Sequence, residues 1–289
     1  MKMLLYLASL SLLFSNSYAR AACTPVPGSA DLWSKPSLHW VWVGETHGTV
    51  ETPAAFGDLV CDALAHGKHV TVALERFTKE QAALDTVMGT KDIPAAETTL
   101  LAEVGWRQFV DGRSSQAMLA LLIKLRELKT QYPKLRVVAI DGPSYTDMPG
   151  SRDEAIGRPV LALAGTQPDD LVLALTGNVH AMKHPFSSYK TSAMFLPADQ
   201  VFSLLVTDRG GEAWMMTDVG CGAQANSKPD RDKTRKFGVY ADPAYAKSGF
   251  DGVFALGSQV TASAPANAAV VDAAPCRKDF LAQPSPSAH

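Results

Sequence analysis

Between residues 38 and about 206 the chain alternates short, β-rich apolar runs with segments whose apolar positions recur at helical spacing. That alternation predicts a mainly parallel sheet covered by helices. LHWVWV at 38–43 is the first strand. Thr52 and Pro53 then offer a helix cap followed by the helical position that welcomes proline. Phe56, Leu59, Val60, Ala63 and Leu64 continue at helical spacing up to Gly67. HVTVALE at 69–75 is the second strand, and Thr78 with Gln81 makes a capping-box pattern for a helix carrying Leu84, Val87 and Met88 and stopped by Gly89.

Residues 90–113 show no regular period, and GWRQF at 105–109 supplies aromatic side chains for the core or for a pocket wall. Met118, Leu121, Leu122, Leu125 and Leu128 form a stripe opposite Lys124, Arg126, Glu127 and Lys129, which predicts a helix over 114–132. LRVVAID at 135–141 is the third strand. A loop with Gly142, Pro143 and Pro149, a helix near 152–165 and a fourth strand, LVLALTG at 171–177, follow. VFSLLVT at 201–207 and EAWMMTD at 212–218, separated by RGG, read as an antiparallel hairpin. The expected fold is therefore α/β, a mainly parallel sheet with helices on both faces and an antiparallel edge hairpin.

The two ends differ from this middle. Lys2, an apolar run from Met3 to Phe14 and an AxA pattern at Ala19, Arg20 and Ala21 read as a signal peptide over residues 1–21. The run is too short for the ~20 residues of a spanning helix. No other window approaches that length without charges or prolines, so no integral membrane association is expected. Residues 22–257 then form a single α/β domain. Residues 258–289, rich in Ala, Pro and Ser, are expected to be a poorly ordered tail, held only where Cys276 staples it. The protein is expected to be exported, periplasmic or secreted. A lipoprotein anchored through Cys23 is less consistent, because Arg20 stands where a lipobox wants Leu.

Four cysteines in an exported chain suggest two disulfides, with Cys23–Cys61 and Cys221–Cys276 favoured because each tethers a terminal segment to the body. A metal site among them lacks CxxC or CxxH spacing. Lys plus Arg number 27 and Asp plus Glu 29, for a formal charge of -2. Such a balance lacks the basic field that a phosphate backbone requires, so no nucleic-acid partner is expected.

The strand ends carry the candidate chemistry. The first leads into GETHGTVE, with Glu45, His47 and Glu51; the second ends at Glu75 and Arg76; the third at Asp141; the fourth runs into Asn178 and His180. Parallel strands deliver their carboxyl ends to one edge, where ligands bind. Carboxylates ending apolar strands are costly to bury without a partner or a task. Gly44 and Gly48 allow tight turns around His47, and the helix begun at Thr52 has free amides that favour anions. A neutral His47 could take a proton from water, oriented by Glu45, Glu51 or Glu75, with His180 as a second acid/base or an oxyanion donor.

GETHGTVE after a strand, ALE ending the next, the helix up to Leu128 leading into RVVAIDG, the Arg152–Asp153 pair and TGNVHAMK together resemble the superfamily joining erythromycin esterases, ChaN-like haem-associated lipoproteins and the Tiki/TraB group. The resemblance spans roughly residues 38–185. It implies an α/β core with the site at the strand ends, a histidine base in the esterases and a metal-dependent protease in the Tiki branch. Carried onto this chain, it makes His47 the base, Glu75 its paired carboxylate, and Glu45, Arg152 and His180 supporting groups. Glu51, Asp141, Asp153 and Asn178 stand behind them or against substrate.

No GxSxG, HExxH or P-loop pattern occurs. The expectation is an exported hydrolase that cleaves an ester, lactone or amide in a small-molecule substrate by direct attack of activated water. The alternative is a periplasmic haem- or iron-binding carrier using the same cleft. A divalent metal held by His47, Glu75 and His180 has suitable ligand types, so the cofactor is left open between metal, haem and none.

Overall fold

The computed structural model describes residues 23–108, 110–143, 150–163, 169–217, 220–226 and 232–267. Residues 1–21, where a signal peptide is expected, Phe109, Pro149, the expected end of a helix at 165, Asp218, Cys276 and everything after Asn267 lie outside the described residues.

In chain order the elements are α1 (Ala30–Trp33), β1 (Trp40–Glu45), α2 (Glu51–Ala65), β2 (His69–Phe77), α3 (Gln81–Gly89), α4 (Ile93–Ala102), α5 (Val104–Gln108), α6 (Gln116–Gln131), β3 (Arg136–Asp141), α7 (Arg152–Ala162), β4 (Asp170–Gly177), α8 (Asn178–Ala181), β5 (Val201–Thr207), β6 (Glu212–Thr217), β7 (Gly220–Ala225), β8 (Gly238–Ala241) and β9 (Gly252–Ala255). Seven strands form one sheet in the order β3-β2-β4-β1-β5-β9-β8, and β6 and β7 form a separate antiparallel pair. Within the large sheet every neighbour is parallel except β8 against β9.

Alternation along the strands divides the core in two. Val41 and Val43 of β1, Val70, Val72 and Leu74 of β2, and Leu171, Leu173 and Leu175 of β4 face the side covered by α2, α3 and α6. Trp40, Trp42, Ala73, Val172 and Ala174 face the side covered by α7 and α8. Burial on both faces explains why these strands read as continuous apolar runs. The disulfide Cys23–Cys61 ties the N-terminal segment to the C-terminal half of α2. Beside it, buried Asp62 accepts from Ser29 Oγ at 2.5 Å and Trp33 Nε1 at 2.7 Å. The partner of Cys221 in the other expected pairing, Cys276, is outside the described residues.

Several sequence expectations are corrected. Residues 201–207 and 212–218 do not form a hairpin: β5 lies inside the large sheet, paired with β1 and β9, while β6 pairs with β7. The antiparallel edge is made by β8 and β9 instead. Residues 90–113 contain α4 and α5, with Asp92 capping α4 through the N–H of Ala95. Helix α2 starts at Glu51 with Val50 at its cap position, and Thr52 Oγ1 accepts from Thr49 instead of capping. Gln81 reaches across to β3, bonding the carbonyl of Val137 and the N–H of Ala139, instead of completing a capping box. The segment from Ser258 to Asn267 is built into the fold by backbone hydrogen bonds and is not a loose tail.

Candidate active site

The strand order puts β3, β2, β4 and β1 side by side, so Asp141, Glu75, Gly177 and Glu45 arrive along one stretch of the carboxyl edge. Gly177 pairs in register with Glu45, and Asp141 with Phe77 just beyond Glu75. Neighbouring strands are roughly 5 Å apart, so side chains at the ends of adjacent strands can reach one another.

At the centre is the imidazole of His47, between two carboxylates. Nδ1 is 3.0 Å from Oε1 of Glu45, and Nε2 is 3.5 Å from Oε2 of Glu75. Both carboxylates are buried, whereas His47 keeps about a fifth of its side chain accessible, 21%. Burial alone lowers the imidazole pKa, but the charge of Glu75 and the hydrogen bonds to Glu45 and Glu75 outweigh it and raise it to about 10. His47 is thus an imidazolium at neutral pH. The carboxylates expected to orient the ring thus also favour its protonated form.

Glu75 is the hub. Burial raises a carboxylate pKa, yet His47 beside it, with His180 and Arg113 further off, holds Glu75 well below the usual range. Oε1 accepts from Arg152 Nη2 at 2.5 Å and from Arg113 Nη1 at 3.4 Å, and Oε2 accepts from the Gly177 N–H at 2.7 Å. Arg152 also donates to both oxygens of Asp141, at 3.1 and 2.8 Å. Burial would lower the Arg152 pKa; the Asp141 hydrogen bonds and the charges of Glu75 and Asp141 raise it instead.

A second imidazole stands beside this array with a different set of partners. Nδ1 of His180 is 2.8 Å from Oδ1 of Asp153, and the same oxygen accepts from the N–H and Oγ of Ser192 at 2.8 and 2.6 Å. Burial tends to raise the pKa of Asp153, but these bonds lower it. An ionised Asp153 accepts from the Nδ1–H of His180 and so fixes the orientation of the ring. The two imidazoles share one rim: a Cβ on Gly177 would lie 3.1 Å from Nε2 of His47 and 3.8 Å from Cδ2 of His180.

Sequence reasoning missed Arg113. It is buried, donates to both oxygens of Asp111 and reaches Glu75 and Asp141 at 3.4 Å each. It sits on a loop, so no periodicity marks it. The available signal was charge: Glu45, Glu75 and Asp141 at one rim, with Arg152 as the named cation, call for another. Arg76, seen only as a strand end, is fully buried. It binds Glu80 through Nε and Nη2, lies 4.5 Å over the Trp106 ring, and its Nη1 donates to the carbonyl of Arg113 and to Ser114 Oγ. Trp106 is therefore core and the anvil for Arg76, not an exposed pocket wall.

Two other predicted residues stand differently from expectation. Glu51 does not orient His47; its Oε2 accepts from the backbone N–H of Thr261 at 2.8 Å. The start of α2 is likewise engaged, since the N–H of Val50 bonds the Thr261 carbonyl. Asn178 opens α8, and its Cα packs against Gly44, where a Cβ would meet it at 2.9 Å. Among the described residues no group of three His, Cys, Asp or Glu side chains is arranged to hold a metal ion. No described helix is long and apolar enough to cross a membrane.

No protein-family model matches the chain. No curated protein matches it. Among solved structures, the chain is similar to a protein of Bacillus cereus at 12% identity and a TM-score of 0.51, covering 79% of this chain and 90% of that one. It is also similar to the type III effector HopBA1 at 16% identity and a TM-score of 0.43, covering 81% of this chain and 97% of the effector. The likeness to the Bacillus cereus protein is one of fold.

Proposed function

We propose that the chain is an exported hydrolase of the erythromycin esterase, ChaN-like and Tiki type, cleaving an ester, lactone or amide in a small molecule, with His180 rather than His47 as the base. The observation that supports this most is the pairing of two imidazoles on one rim in opposed settings. One has a carboxylate at each ring nitrogen, Glu45 at Nδ1 and Glu75 at Nε2; the other is held at Nδ1 by Asp153. Two imidazoles with different partners on one rim can take different parts in a proton transfer.

In this reading His180 Nε2 takes a proton from water as its oxygen bonds to the substrate carbonyl carbon. The carbonyl π pair moves onto oxygen, where the Nε2–H of His47, loosely held at 3.5 Å from Glu75, can donate to it. Collapse of the tetrahedral adduct breaks the bond to the leaving group, which recovers the proton from His180. Arg152 and Arg113 are engaged by Glu75 and Asp141, so they act by holding those carboxylates in place, and Arg113 helps keep Glu75 ionised.

Export accords with the signal-like N-terminus, the Cys23–Cys61 disulfide and the lack of a membrane-crossing helix among the described residues. The test is a panel of p-nitrophenyl esters, lactones and anilides with the mature protein. Turnover is expected, with His180→Ala reducing it roughly 100- to 10,000-fold and Asp153→Asn reducing it in the same direction. Absence of turnover across the panel, with a Soret band or bound iron in the purified protein, would reject hydrolysis in favour of the carrier.

A further inference from the structure

Residues 258–267 follow the last strand of the sheet, yet they cross the two loops that carry His47 and Arg113. The N–H of Ser263 donates to the carbonyl of Gly48 at 2.8 Å, and the N–H of Val50 donates to the carbonyl of Thr261 at 2.9 Å. Thr49 and Ala262 form an antiparallel bridge, and Glu51 accepts from the N–H of Thr261. The same short segment then engages the other loop. Gln116 donates to Ala264, Ala266 donates to Ser114, Ser263 Oγ accepts from Ala117, and Ser115 bridges Pro265. Val260, Ser263 and Pro265 are buried.

The loops so joined are in direct backbone contact. Gly112 has φ +91, and a Cβ there would lie 2.3 Å from the N of Gly48; Gly48 has φ +82, and its Cβ would lie 2.1 Å from the carbonyl oxygen of Trp214. The His47 loop is layered between the Arg113 loop and β6, and the 258–267 segment is laced along the layer. Trp214 closes it from the far side, donating its N–H to Gly48 and its Nε1 to the carbonyl of Val110.

We propose that residues 258–267 are a positioning strap for the site, setting the His47 loop against the Arg113 loop so that the imidazole stays seated between Glu45 and Glu75. The inference concerns the site read above as hydrolytic. Its mechanism is mostly main-chain hydrogen bonding, so it does not depend on which side chains the strap carries. The loops it joins also bring Asp111, the other acidic group near His47, which is held by Arg113.

The experiment compares Ser263→Pro, which removes the donor to Gly48, and Glu51→Ala, which removes the acceptor for Thr261, with the parent protein. Folding is checked by circular dichroism, His47 is followed by nitrogen-15 NMR across pH, and turnover is measured with p-nitrophenyl acetate. In folded variants the His47 midpoint is expected to fall from about 10 toward 6.5, and kcat to drop roughly 100-fold, as a misplacement of about 1 Å would cause. Should Ser263→Pro not fold, Glu51→Ala carries the test. Folded variants in which both the His47 midpoint and turnover match the parent would overturn the strap. If the parent itself cleaves no ester, the hydrolase reading fails, and the NMR titration still decides the strap.

Discussion

Nε2 of His47 lies 3.5 Å from one oxygen of Glu75, whose other oxygen accepts from Arg152 at 2.5 Å. A buried carboxylate is thus shared by an imidazolium and a guanidinium, and its charge stabilises both. Glu75→Gln removes that charge while keeping the shape. We expect a loss of roughly 3 kcal/mol of stability, because the cations lose their buried counter-charge, measured by urea denaturation against the parent. A change within a few tenths of a kcal/mol would mean that the cluster is not coupled through Glu75.

The same pair sets a pH dependence whose sign follows from its shifts. His47 is raised from 6.5 to about 10, so its contribution is complete below 6.5 and is lost as pH climbs toward 10. Glu75 is lowered below 4.5, so its contribution is complete above 4.5 and is lost as pH falls through its depressed value. The pair therefore stabilises most between 4.5 and 6.5. Thermal unfolding at a series of pH values should show the midpoint declining above 6.5, and His47→Gln should flatten that decline. An unchanged slope in the variant would assign the decline to other groups.

Gly177 offers a lever on geometry alone. Its φ of -53 is open to any residue, but an added Cβ would stand 3.1 Å from His47 Nε2 and 3.6 Å from Glu75 Oε2. Gly177→Ala retains the N–H that Glu75 accepts, so the fold should survive while the imidazole is displaced. Turnover of p-nitrophenyl acetate is expected to fall roughly 10-fold or more with circular dichroism unchanged. Full activity would show that the space above Gly177 is not used in the reaction.

The Cys23–Cys61 disulfide closes a separation of 38 residues. A loop of that length contributes about 4 kcal/mol in the chain-entropy description. The Cys23→Ala, Cys61→Ala double variant should lose stability of that order in urea denaturation, with α2 and the N-terminal segment loosened together. A loss below about 1 kcal/mol would mean that the contacts of Asp62 with Ser29 and Trp33 hold the segment without it.

The sequence was readable where side chains report burial. The four strands that converge on the site are apolar on both faces, so their runs and terminal carboxylates stand out, and Asp141, Glu75 and Glu45 do lie along one edge. It was misleading where backbone carries the structure. GCGAQA of β7 has no β-branched residue, which hid the true partner of β6. The strap, with its Ala, Pro and Ser, has a disordered composition but is held through main-chain groups that no side chain announces. Helix α4 was concealed by alanines and threonines that blur its stripe, although Asp92 and Pro94 marked its start. Arg113 sits in a loop and is tied to the site by ion pairs with residues distant in sequence.

The protonation of His47 at neutral pH is the point on which the division of roles rests. Nitrogen-15 NMR of the histidine side chains, with His47 assigned by His47→Gln, measures it directly. Both ring nitrogens should carry protons at pH 8, with release centred at about 10. A His47 ring that loses its proton near 6.5 would return the base to His47 and contradict the assignment of that role to His180.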